Sequence, residues 1–464
     1  MPPPKSWRPL STIIIATRFS FLATLLAAAP ELAAQDTSAE NAYPHAPAWV
    51  ADQTLYEVNL RQFSPEGNVE GLRKQLPRLK ELGVGTLWLM PVNPIGSAGR
   101  TGRLGSPYAV KNYMQFNPEF GTLAEFKAVV DQAHRMGMYV IIDWVANHTA
   151  LDHEWVTEHP DWYKHDSDGQ LLHPMPTWKD VVALNYQSTA LRREMIESMA
   201  FWVRDVGVDG FRCDAAEFVP LDFWAQARDA LRKIKPVFML AEGVKPELMS
   251  YAFDAAYAWD LSANMENIVK GTKTVPDLIN YLKADAEILP HGKFRLNFTT
   301  NHDKNAFQGT TQEVFGPGAD AYTVLTFTAP GMPLIYNGQE TGAEHQLNLF
   351  DHDPIVWRED PAEASLYSTL AHLKRNNLAL WEGVNSAPVQ FIETGAGKSV
   401  LVFKRQAAGD SVIVALNLDS RPAKIRIPSA ATQMQTILGH DSSPDQNGEL
   451  TLEAWGYRVW SNKR

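Results

Sequence analysis

The sequence predicts an α/β fold: a closed (β/α)8 barrel with a short insertion after its third strand and a C-terminal antiparallel β-sandwich. Three observations predict it. Short apolar runs alternate with amphipathic helical stretches from about Thr54 to Leu380. A polar stretch without helical period interrupts them at residues 149–186, and period-two runs replace them from residue 381 onward. Parallel strands need a crossover that covers the sheet, so a βα unit repeated eight times closes on itself.

The strand candidates are "TLYEVNL", "VGTLWLMPV", "MYVIIDWV", "VDGFRCD", "PVFMLAE", "FDAAYAW", "RLNFTT" and "MPLIYNG". Between them, "VEGLRKQLPRLKELG", "TLAEFKAVVDQAHRMG" and "TALRREMIESMAFWVRDVG" carry apolar residues at three- and four-residue spacing, the period of a helix with one buried face. The barrel is therefore expected over 54–148 and 187–380. The interruption at 149–186 is rich in His, Pro and Trp and reads as an inserted loop domain, placed where barrel enzymes carry functional elaborations. In 381–464, "SVLVFKRQ", "SVIVALNLD" and "GELTLEAWGYRVWSN" alternate apolar and polar residues between Gly, Asp and Ser turns, as sandwich strands do.

The N-terminus reads as an export signal. Lys5, Arg8 and Arg18 precede the apolar run "FSFLATLLAAAP", which is too short to span a bilayer and is followed by small residues. Residues 1–34 are expected to form a signal peptide cleaved after Ala34, with 35–53 a linker. The mature chain is then secreted or periplasmic and has no membrane span. A formal charge of −11 argues against nucleic-acid or anionic-membrane partners, which need basic patches. Cys213 is the only cysteine, so no intrachain disulfide forms. Strand alternation turns it away from its charged neighbours, which makes it a packing residue.

The charges inside apolar runs point to chemistry. In "VDGFRCDAAEF", Arg212 and Asp214 stand two apart and face the same side of a strand. Alone, they fit a structural ion pair or an ordinary strand-to-loop transition better than a catalytic pair. Strand three, however, also ends in Asp143, followed by Asn147 and His148; strand five ends in Glu242; and strand seven runs into His302 and Asp303. Catalytic groups of such barrels sit at the C-terminal ends of strands. Several carboxylates meeting in one mouth repel one another, a cost that a purely structural arrangement would avoid. The set suits cleavage of a sugar acetal, in which one carboxylic acid protonates the leaving oxygen and a second carboxylate attacks the anomeric centre. Arg212 would keep Asp214 ionised, and neighbouring carboxylates would raise the pKa of Glu242.

These residues resemble the α-amylase family of glycoside hydrolases. "DWVANH", "GFRCD", the "EG" of "MLAEG" and "FTTNHD" look like its four signatures, in order, and "GVGTLWLMPV", "GSPYAVKNY" and "GMPLIYNGQE" look like its flanking motifs. The likeness runs from about Leu55 to the terminus. It implies a retaining hydrolase of α-glucosidic bonds, most often α-1,4, with an α-glucan or maltooligosaccharide as substrate. By that similarity Asp214 is the nucleophile, Glu242 the general acid/base and Asp303 the stabiliser of the distorted ring. Tyr108, Asp143, His148, Arg212 and His302 are implied as substrate-binding or orienting residues, Tyr108 by stacking under the ring. No cofactor is required for the chemistry. The structural calcium of some relatives implies Asn147 as a ligand, but Ala183 stands where many of them carry an aspartate, and "SPEGNVEG" lacks the acidic series of a second calcium loop. "AAEF" after Asp214 replaces the lysine-histidine pair common in typical members. A transglycosylase or sugar isomerase would use the same intermediate; a non-catalytic carbohydrate-binding protein would be expected to lack one of the three acids.

Overall fold

A computed structural model describes residues 45–359, 361–439, 445 and 448–463. The expected signal peptide, its expected cleavage after Ala34 and most of the expected linker lie outside the described residues.

Eight strands form the barrel: β1 Leu55–Val58, β2 Thr86–Leu89, β3 Tyr139–Trp144, β4 Gly210–Cys213, β5 Phe238–Ala241, β6 Ala255–Tyr257, β7 Phe294–Asn297 and β8 Met332–Tyr336. Each pairs in parallel with its neighbours in chain order, and β8 closes on β1. All eight sequence candidates are barrel strands. Period-two alternation sorts their side chains. Leu55, Trp88, Ile141, Leu240, Tyr257, Leu296 and Leu334 fill the barrel, while Tyr56, Leu87, Leu89, Phe211, Cys213 and Met239 pack outward against the helices. Cys213 thus lies in the apolar outer layer, as alternation requires. Trp49 stacks on Tyr139 beneath the barrel, with ring centroids 3.9 Å apart.

The helices are set by local chemistry. Asn68 caps Val69–Leu82, and Gly83, in the left-handed region at φ 98°, ends it by donating its N–H to Leu79 and Lys80. Thr122 and Glu125 form a capping box on Leu123–Arg135. Gly210 is required by close approach: a Cβ there would come within 2.0 Å of the Phe238 carbonyl oxygen.

Two local expectations change. The insertion is not structureless: His148–Ala150 and Val181–Ala183 pair as an antiparallel hairpin, and the short helix Trp155–Glu158 lies between them. His148 is therefore on the insertion's first strand. His302 and Asp303 do not sit at the end of β7. They open the helix His302–Gln308, whose N-cap Asn301 accepts from Lys304 N–H at 2.9 Å.

Beyond the last barrel helix, Ala362–Asn376, the chain adds β9 Gln390–Phe391, β10 Val400–Ala407, β11 Asp410–Asn417, β12 Ala423–Arg426, β13 Gln435–Gly439, β14 Glu449–Leu452 and β15 Tyr457–Ser461. They form a five-stranded antiparallel sheet, ordered β9-β10-β11-β15-β13, and the pair β12-β14. Val400, Val402, Ile413, Ile425, Leu450 and Trp460 fill the space between the two sheets. The opposite face, Leu401, Phe403, Val412 and Val414, merges with the core around the barrel.

Candidate active site

The C-terminal mouth of the barrel opens into a pocket with about 820 Å³ of space outside the protein atoms. Among its lining residues are Tyr108, His148, Asp214, Glu242, His302 and Asp303. Arg212 and Asp143, both fully buried, lie beneath. All eight residues singled out from the sequence therefore meet in one place.

Arg212 organises the floor. It projects inward because Phe211 and Cys213, on either side, point to the outer layer. Its Nη1 donates to Asp143 Oδ1 and Asp214 Oδ1, each at 2.9 Å, and its Nε donates to Tyr257 Oη at 3.0 Å. Nη2 lies 3.2 Å from Glu242 Oε2 as an ion pair, without hydrogen-bond alignment. Glu242 Oε2 is instead held by the Ala215 N–H at 2.7 Å. Ala215 sits in the left-handed region (φ 44°, ψ 40°), uncommon for a residue with a Cβ, and this turn is what aims its amide at Glu242.

One guanidinium thus faces three carboxylates. Burial pushes Asp143 up to about 7, against the pull of Arg212. Burial also raises Asp214, opposed first by Arg212, and raises Glu242, with the Asp214 charge adding to the effect. The sequence assigned the Glu242 shift to neighbouring carboxylates; removal from water is the larger cause. The direct charge-assisted hydrogen bonds go to Asp143 and Asp214 and not to Glu242, so of the two acids that line the pocket beside Arg212, Asp214 is the one held toward its ionised form.

Asp303 is the most open of the three acids, with 30% side-chain exposure, and lies 3.5 Å from His302 Nε2. On the other side of the ring, His302 Nδ1 meets Glu57 Oε1 at 2.5 Å. Burial works against the charge on His302, but Asp303 and Glu57 outweigh it and raise its pKa to about 9. Tyr108 stacks against His302 at 5.4 Å and brings its hydroxyl to 2.7 Å from Nε2 and 3.2 Å from Asp143 Oδ2. Burial lowers His148 to about 4. That ring is neutral at physiological pH and stands edge-on to Trp178, centroids 5.5 Å apart.

Sequence reasoning missed Glu57, whose signal was present: a lone acid at an inward position of the apolar run "TLYEVNL". It also missed the apolar wall, Trp178, Val181, Phe307, Leu349 and Phe350, which comes from segments without periodicity. The calcium implied at Asn147 does not fit the residues present. Its Nδ2 lies 3.3 Å from His148 Nδ1, and Ala183, which pairs with His148 across the hairpin, has no oxygen on its side chain.

Comparison with known proteins agrees with this geometry. The α-amylase catalytic-domain model matches residues 34–180 and 162–378. The crystal structure of an α-amylase from Lactobacillus plantarum superposes with a TM-score of 0.80 at 33% identity, over 89% of this chain and 99% of that one. A noncanonic maltogenic α-amylase from Thermotoga neapolitana gives 0.76 at 28% identity, over 89% and 96%. In sequence, α-amylase MalA of Haloarcula japonica is 27% identical over 425 residues, 88% of this chain and 61% of its own length. A trehalose synthase of Thermus thermophilus is 28% identical over 408 residues, with the match spanning 41% of that longer protein. With the family model covering most of the chain, and with the barrel and its mouth built as described, the protein belongs to the α-amylase family.

Proposed function

We propose that the protein is a retaining glycoside hydrolase that cleaves α-glucosidic bonds, principally α-1,4, in starch-like glucans or maltooligosaccharides. The observation that carries this reading is the unequal sharing of Arg212. Burial raises both acids, but Asp214 receives the direct hydrogen bond that favours its ionised form, while Glu242 receives none from Arg212. One ionised and one protonated acid are the two states the reaction needs.

Asp214 attacks the anomeric carbon as Glu242 delivers its proton to the departing glycosidic oxygen, giving a glycosyl ester on Asp214 and a free sugar hydroxyl. Glu242, now ionised, takes a proton from water. The resulting hydroxide equivalent attacks the same carbon, and Asp214 leaves as carboxylate. Two inversions retain the α configuration. Since Oε2 of Glu242 is occupied by the Ala215 amide, Oε1 carries the transferred proton. Asp303, backed by the His302 imidazolium, is placed to accept hydroxyls of the bound ring and to offset positive charge as it develops. Tyr108 supports His302 and Asp143 through its hydroxyl and presents its ring to the pocket.

The N-terminal export signal supports action outside the cytoplasm. Purified mature enzyme should release reducing sugar from maltooligosaccharides with the α-anomer formed first, as proton NMR reads directly. Asp214→Asn should abolish turnover while the protein stays folded. Undiminished activity of that variant would refute the assignment.

A further inference from the structure

The pocket rim is uneven. Leu349 and Phe350, from the loop after β8, line the pocket, and that loop is tied to its neighbours on both sides. Toward β7, Leu347 N–H donates to Asn305 Oδ1 at 2.8 Å, on the helix that also carries Phe307. Toward β1, Ile355 N–H donates to the Gln62 carbonyl at 2.8 Å, and the Gln62 amide reaches the Asn348 carbonyl. Toward β2, Leu104 N–H donates to the Phe350 carbonyl at 3.1 Å, Arg103 pairs with Asp351 at 2.9 Å, and Arg61 holds the Leu104 and Gly105 carbonyls. Gly102 packs so closely on Phe350 that an added Cβ would lie 2.5 Å from the Phe350 Cβ. The same β2 loop continues to the insertion, where Ser97 binds Asp152 and Thr101 reaches Asp180 at 3.4 Å.

These ties make a continuous wall over β7, β8, β1, β2 and the β3 insertion. The loops after β4 and β5 are also joined, through Glu217 and the Val244 N–H at 2.6 Å, but that side contributes only Asp214, Ala215 and Glu242 to the pocket lining. Glu242 follows β5, so the leaving group it protonates departs on the side without the wall. The sugar bonded to Asp214 faces the wall. A further glucose attached on that side would have to occupy the place of Leu349 and Phe350, whose side chains offer no hydrogen bonds to sugar hydroxyls.

We propose that the wall makes the site a blind pocket for a single terminal glucosyl residue, so that the enzyme is exo-acting and removes glucose from non-reducing ends. This rests on the hydrolase reading above and adds the class of substrate: glucans with a free end, short oligosaccharides included.

Three glucans test it with the wild-type protein: maltoheptaose, maltoheptaose blocked at its non-reducing end by a 4,6-acetal, and β-cyclodextrin, which has no end. Maltoheptaose should give glucose as the sole early product and be cleaved at least about 100-fold faster than the other two, the scale on which a shaped pocket discriminates. Maltose or maltotriose as first products, or comparable rates on the blocked or cyclic glucan, would overturn the proposal while leaving the hydrolase reading intact. Failure to cleave any of the three would refute both. Arg103→Ala combined with Phe350→Ala should raise cleavage of the blocked substrate relative to the free one by about tenfold. No change in that ratio in a folded variant would show that the wall does not set the mode. If the double variant fails to fold, the wild-type product pattern decides.

Discussion

Two of the charge clusters buried among the described residues lie at opposite ends of the barrel and are built on opposite principles. Below the N-terminal end of β8, where the C-terminal sheet docks, Glu382 accepts from Arg405 Nη2 at 2.9 Å and from Ser386 at 2.7 Å, with Lys374 Nζ at 3.4 Å. Further donors go to backbone carbonyls, Arg405 to Ala329 and Ala387 and Lys374 to Gly331 and Leu380, and Arg405 Nη2 also reaches Ser386 Oγ at 3.4 Å. Two cations serve one anion, and the cluster is sealed. At the mouth, one arginine serves Asp143, Asp214 and Glu242, and a pocket lies above. The proton affinities follow this balance. Burial alone would raise Glu382, yet Arg405 and Lys374 outweigh it and hold its carboxyl below the usual range; Asp143, Asp214 and Glu242 are all pushed above theirs. A buried charge matched by its partners holds structure together, and one left short of partners keeps a proton available for chemistry.

Removing one carboxylate from each cluster should give opposite phenotypes. Glu242→Gln should lower kcat by roughly 10²–10⁴, the usual worth of a general acid/base, with no loss of melting temperature. Glu382→Gln should leave two cations short of a counter-charge and cost about 3–5 kcal/mol of unfolding free energy, with kcat per folded molecule unchanged. Denaturant melts and active-site-titrated rates would show this, and a destabilised Glu242→Gln protein would break the contrast.

The clusters should also respond to pH with opposite sign. Asp143 rises on folding from an ordinary 3.8 to about 7, so the native state binds the extra proton between those values. Stability from that group is full below 3.8 and is lost as pH climbs toward 7. The melting temperature of Asp143→Asn relative to wild type should therefore grow across that window. Glu382 has a depressed folded value, so its contribution is present at neutral pH and is lost on acidification through that value. The deficit of Glu382→Gln should accordingly shrink as pH falls. Parallel trends for the two variants would show that the two clusters do not differ in charge balance as described.

How far such features could be read in advance depended on whether a residue broke a local pattern. The eight strands were legible because each is a short apolar run between helical periods. Arg212 and Asp214 were legible because they interrupt one of those runs beside a recognisable motif. Asp303 was found, but its setting was misplaced: "TTNHD" follows the apolar run directly in sequence, whereas the strand ends at Asn297 and Asn301 caps a helix that His302 opens. The hairpin of the insertion joins two three-residue strands about thirty residues apart in sequence, and short strands carry too little alternation to be seen. The wall over β7, β8, β1 and β2 is made of loop-to-loop hydrogen bonds, largely to backbone atoms, which leave no mark on residue type. Lys374, Glu382 and Arg405 come from three separate segments, and nothing in their spacing relates them.

Glu57 offers the smallest and sharpest test, since it lies between the two kinds of cluster. It is fully buried on β1 like Glu382, but it acts at the mouth through His302. The imidazole is faced by Glu57 and Asp303, by Arg212, by the Tyr108 hydroxyl and by the edge of Trp88 at 6.0 Å. In Glu57→Gln the amide oxygen can still accept from Nδ1, so the ring keeps its position while losing one of the two anions that hold its proton. His302 should then titrate below about 9, visible in its ring-proton shifts. At pH 6 the ring is charged in both proteins and kcat/KM should be nearly equal. If the displacement is about one unit, the variant should fall about twofold below wild type at pH 8 and about fivefold at pH 9. Superimposable pH profiles with an unmoved His302 would mean that Glu57 only fills space, and that the reactive cluster ends at Asp303.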